Sequence, residues 1–84
     1  VRKSRHTAEY ERFLDLLRAA RTRKGIQQTD LAERLGVPQQ YISRFETGET
    51  RMDVIQLWRY CRAVGISFVA FCRYLDKDLA SRLR

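Results

Sequence analysis

Gln39, Gln40, Ser43 and Arg44 lie within six residues of one another, and three of them carry planar heads with hydrogen-bonding atoms side by side. A glutamine amide pairs with adenine at N6 and N7, and an arginine fork pairs with guanine at O6 and N7. Each good pair is worth about 1–3 kcal/mol of discrimination. These contacts need a rigid support that holds the heads clear of the interior. A helix from Pro38 or Gln39 to about Thr47 supplies it. Gln40, Ser43, Arg44 and Thr47 then share one side, opposite Ile42 and Phe45, with Gln39 at the leading end.

The rest of the chain reads as elements that could carry such a helix. Thr7 is a good N-cap, and Tyr10, Phe13, Leu14, Leu17, Ala20 and Arg21 recur at helical steps. A first helix is predicted from Ala8 to Lys24, with Gly25 at its C-cap. A second begins near Gln28, turns Leu31, Ala32 and Leu35 inward, and ends at Gly36. The third ends at Gly48. Asp53 caps a fourth, with Leu57, Tyr60, Cys61 and Val64 inward, stopped by Gly65. Ser67 caps a fifth, whose apolar face is Phe68, Phe71, Cys72 and Leu75. The glycines at 25, 36, 48 and 65 each follow a predicted helix, where a left-handed residue is favoured. No strand alternation or repeat is present, so the fold class is all-α with five helices.

Eighty-four residues suit one domain. The expected division is a flexible basic arm over 1–7 and a single domain over 8–84. The net charge of +7 predicts a polyanionic partner, nucleic acid being the commonest. The charge is uneven: residues 1–24 hold eight Lys and Arg against three acids, whereas residues 25–50 hold two against four. Charge alone therefore does not locate the binding surface. Arg2, Lys3, Arg5 and His6 of the arm suit a backbone or a minor groove, or a solvated terminus in the unbound protein. Trp58 and the helix-5 aromatics read as core or subunit interface.

Catalysis and cofactors are not expected. Asp15, Glu33, Asp76 and Asp78 are scattered, no nucleophile has an adjacent base, and no glycine-rich phosphate loop is present. A single histidine and two cysteines do not make a metal site, and Cys61 and Cys72 read as reduced, buried thiols. No run reaches the ~18 apolar residues of a membrane span, so the expected location is cytoplasmic.

Residues 28–47 form a two-helix unit with a turn at Gly36-Val37-Pro38. Ala32 sits where the second helix of the unit crosses the first, and Gln28 opens the unit where free amides favour a phosphate. The pattern Q-x-x-L-A-x-x-L-G-V, then I-S-x-x-E-x-G, then the helix-4 block resembles the Cro/C1-type (XRE-family) helix-turn-helix domain over about Leu17 to Ser67. The resemblance implies a lambda-repressor-like bundle that binds double-stranded DNA as a transcriptional regulator, a repressor above all, with helix 3 in the major groove. It implies base reading by Gln39, Gln40, Ser43 and Arg44, and phosphate contact by Gln28. Thr47 and Arg51, in or near the following loop, join the phosphate set. It also implies a structural ion pair between Arg21 and Glu46. Pro38 departs from the usual serine or threonine cap of helix 3, Gln27 from the usual cap of helix 2, and Met52 from a common proline. The partners expected are DNA and a second copy of the chain. An antitoxin or protein-interaction module that meets a toxin is the alternative on the same scaffold.

Overall fold

A computed structural model describes residues 6–82. Five helices follow in order: α1 (Ala8–Arg23), α2 (Gln28–Leu35), α3 (Gln39–Thr47), α4 (Val54–Val64) and α5 (Phe68–Arg82). No strand is present among the described residues. The chain belongs to the all-α, five-helix class. Arg2, Lys3 and Arg5 of the expected arm, and the last two residues of the expected domain, lie outside the described residues.

The helix starts follow from side chains that satisfy free amides. Thr7 Oγ1 accepts from the Tyr10 N–H at 3.1 Å, and Ser67 Oγ accepts from the Ala70 N–H at 3.1 Å. Asp53 and Gln56 cap α4 reciprocally, at 2.7 and 2.8 Å. At α2, the Gln27 N–H donates to the Asp30 carboxylate at 3.3 Å. Pro38 gives α3 no side-chain cap. The first helix ends one residue before the expected Lys24, which is its C-cap in place of Gly25.

The core forms where the apolar stripes meet. Leu14, Leu17, Leu31, Ile42, Tyr60, Cys61 and Val64 are almost fully buried, joined by Phe13, Leu16, Ile26, Ala32, Phe45, Leu57 and Phe71. Each large side chain so buried contributes about 1.5–3 kcal/mol. Phe13 and Phe71 meet edge to face at 6.1 Å, which ties α1 to α5. At the far end of α5, Arg12 grips Asp78 through two hydrogen bonds of 2.7 and 2.9 Å. The Arg12 bond holds the Asp78 carboxyl down at about 2, with help from Arg82. Arg82 also donates to Asp78 at 3.0 Å, and α5 runs as far as Arg82. Burial pushes the Cys61 thiol up to about 11, and both cysteines are free. No described helix is long and apolar enough to cross a membrane.

Candidate nucleic-acid interface

The turn between α2 and α3 sets the angle of the surface helix. Gly36 adopts φ 70° and ψ 34°, the left-handed region that favours glycine. The Val37 N–H then reaches the Ala32 carbonyl at 3.0 Å. Ala32 itself is only 4% exposed. A methyl there lets the two helices cross closely, and Ile42 and Phe45 pin α3 from below.

With one side of α3 held inside, its other side faces out. Gln39, Gln40, Arg44 and Thr47 are exposed, and Ser43 is half-buried. Among the described residues the Arg44 guanidinium makes only a distant pair with Glu49, at 4.0 Å, so its fork is available to an incoming group. The Thr47 hydroxyl is turned back weakly to the Arg44 carbonyl at 3.4 Å. Tyr41 is exposed on the flank and packs edge to face on Phe45 at 4.9 Å. Arg51 is exposed in the loop after α3, its guanidinium 4.4 Å above the Tyr10 ring.

Beneath this surface lies a buried charge network. Arg21 donates to both oxygens of Glu46, at 2.7 and 2.9 Å, and to the Ile26 carbonyl at 2.8 Å. The Tyr60 hydroxyl donates to Glu46 Oε2 at 2.5 Å, and Gln28 Nε2 donates to Oε1 at 3.0 Å. Burial pushes the Glu46 carboxyl up. The bonds from Arg21, Tyr60 and Gln28 outweigh it and leave the group below its ordinary range. Burial, reinforced by Glu46, raises the Tyr60 phenol. Arg18 donates to the Glu46 backbone carbonyl, so α1 also holds the end of α3.

Gln28 links this network to the surface. Its Oε1 accepts from Gln39 Nε2 at 2.6 Å, so the half-buried side chain is held at both polar atoms, by Glu46 and by Gln39. Periodicity along one helix does not reveal that contact, because its partners come from α2 and two ends of α3. The Tyr60 bond was likewise hidden, since Tyr60 reads in the sequence as one more inward aromatic. No group of three or more metal-ligating side chains occurs among the described residues.

Residues 17–71, more than half of the chain, match the model of the Helix-turn-helix family. The structure superposes on an XRE-family like protein from Pseudomonas syringae pv. tomato with a TM-score of 0.80 and 43% identity, covering 83% of this chain and 85% of that one. The chain belongs to the XRE family of helix-turn-helix domains. Two further relatives of this XRE domain are named as uncharacterised HTH-type transcriptional regulators. One, of Sinorhizobium fredii, is 39% identical over 57 residues, 68% of this chain and 74% of its own length. The other, of Methanothermobacter thermautotrophicus, is 36% identical over 63 residues, 75% of this chain and 91% of its own length. The family is of the DNA-binding regulator type.

Proposed function

We propose that this XRE domain binds double-stranded DNA sequence-specifically as a transcriptional regulator, with α3 in the major groove and repression through occupancy of an operator. The observation that carries the reading is the two-sidedness of α3. Ile42 and Phe45 are buried, while Gln39, Gln40 and Arg44 stand exposed on a helix held by a helix-turn-helix. Gln39, Gln40, Ser43 and Arg44 read base edges. Thr47, Arg51 and the amino end of α2 at Gln28 meet phosphates. Gln28 does so while it braces Gln39.

The working unit is a homodimer on an inverted repeat, its half-sites about one helical turn (roughly 34 Å) apart. Exposed Val69 and Tyr74 on α5, with Val54, Ile55 and Trp58 on α4, supply apolar surface for a second copy. The location that fits this activity is the cytoplasm.

The test is selection of bound sequences from a random duplex pool at two salt concentrations. The expected product is a two-fold symmetric site. Gln40→Ala and Arg44→Ala each relax base preference at one position per half-site, at a cost of about 1–3 kcal/mol. Recovery of a pool no different from the input, at both salt concentrations, would refute the reading.

A further inference from the structure

Tyr10 in the first turn of α1 and His6, two residues before that helix, hold the loop between α3 and α4 at both of its ends. At the near end His6 Nε2 donates to the Gly48 carbonyl at 2.6 Å. At the far end the Met52 N–H donates to the Tyr10 hydroxyl at 3.1 Å. Between them the Arg51 guanidinium lies 4.4 Å from the Tyr10 ring centroid, and the His6 ring lies 4.8 Å from the same ring. Phe13, 5.2 Å from Tyr10, anchors the stack to the core. The fit is close. A Cβ at Gly48 would stand 2.5 Å from His6 Nε2 and 2.9 Å from Leu14 Cδ1, and the φ of +82° there disfavours a side chain in any case.

A loop arginine that grips an anion loses rotamer freedom, and this weakens binding. Stacking on an aromatic face restricts the side chain beforehand and leaves the charge and the in-plane N–H donors free. The Thr50 N–H, bonded to the Arg44 carbonyl at 3.1 Å, fixes the middle of the same loop.

We propose that Tyr10 and His6 are positioning residues for phosphate contact: they clamp residues 48–52 and hold the Arg51 guanidinium in place before DNA arrives. The inference rests on the DNA-binding reading above. It adds α1, which carries no predicted DNA contact, to the determinants of affinity. It predicts an effect on binding strength and none on base preference, because the clamp acts through a phosphate.

A double-mutant cycle on the full chain tests it, using the duplex recovered from the pool and a scrambled one. Arg51→Ala weakens both duplexes alike and lowers the salt slope by about one. Tyr10→Leu weakens both by about 3- to 10-fold and has little further effect in the Arg51→Ala background. Tyr10→Phe keeps the ring beneath Arg51 but loses the Met52 bond, and its loss of affinity is smaller than that of Tyr10→Leu. His6→Ala speeds hydrogen exchange of the loop amides and gives a smaller loss of binding, so the clamp remains testable if Tyr10→Leu does not fold. A Tyr10→Leu penalty equally large with and without Arg51 overturns the inference, as does a silent Arg51→Ala. Either leaves DNA binding itself standing. Absence of binding by the wild-type chain overturns both.

Discussion

Replacing Arg21 with methionine tests the account of the buried network. Arg21 donates three hydrogen bonds, two of them to a carboxylate that is 1% exposed. Methionine fills a similar volume and removes them all. Among the described residues the Glu46 carboxylate then keeps only Tyr60 and Gln28 as donors, with no cation bonded to it. Loss of one partner from such a pair costs about 3–5 kcal/mol. A domain of this length has about 4–13 kcal/mol in total, so the variant is at the edge of folding. For this size the loss corresponds to a fall in Tm of roughly 12 °C or more. Replacing Glu46 with leucine as well recovers part of it, because an apolar pair leaves no stranded charge. Tyr60 then still has the Leu17 carbonyl, 3.5 Å away.

The pH dependence gives a sharper reading. In the wild type the Glu46 carboxyl is depressed on folding. Its contribution is present above the ordinary carboxylate range and is lost as pH falls through the depressed value. In Arg21→Met a protonated Glu46 needs no cation, so the penalty shrinks between pH 7 and pH 4. Thermal and urea unfolding followed by circular dichroism at both pH values measures this. A variant within about 1 kcal/mol of wild type at pH 7, far below the expected loss, refutes the reasoning, as does a penalty that does not change with pH.

Two further outcomes follow from the same contacts. Burial, with Glu46 beside it, raises the Tyr60 phenol, so its contribution is complete below pH 10 and is lost as pH rises through the elevated value. Unfolding midpoints at pH 8 and pH 11 should show this fall; the raised Cys61 thiol adds to it over the same range, so Tyr60→Phe should remove part of it and Tyr60→Phe with Cys61→Ala most of it. Ala32→Leu overfills the crossing of α2 and α3 at a cost of about 1–3 kcal/mol. Because it splays α3, the helix proposed to read bases, DNA affinity should drop by more than the stability loss explains, as measured at a temperature where the variant is fully folded.

Six helix ends were legible because each of these is written in one residue with one physical reason, unlike the start of α3, where the Pro38 side chain caps nothing. Gly36, Gly48 and Gly65 sit where φ is positive, and Thr7, Asp53 and Ser67 sit where an amide needs an acceptor. The outward set on α3 was equally legible, since helical spacing opposes it to Ile42 and Phe45. Contacts between elements were not. The spacing of α1 put Leu14 and Leu17 inside but gave no sign of Leu16, which is buried by the helices that close over it. Tyr10 meets Met52 across 42 residues, and Gln28 meets Gln39 around a turn. A period tells which way a side chain points and not what waits there. His6 was read as part of a solvated arm, yet its ring rests on Tyr10, because Gly48 leaves the space for it.

The Glu46 carboxylate has a consequence at the protein's rim. An ionised carboxylate takes protons in hydrogen bonds and gives none. Gln28 must therefore turn its nitrogen inward and its oxygen toward Gln39, and Gln39 must surrender one of its two N–H bonds to that oxygen. What Gln39 keeps is a single donor and its carbonyl oxygen, in a set left-to-right order. A flipping amide offers either order to a passing base; this one is keyed from within, by a charge sealed away from solvent.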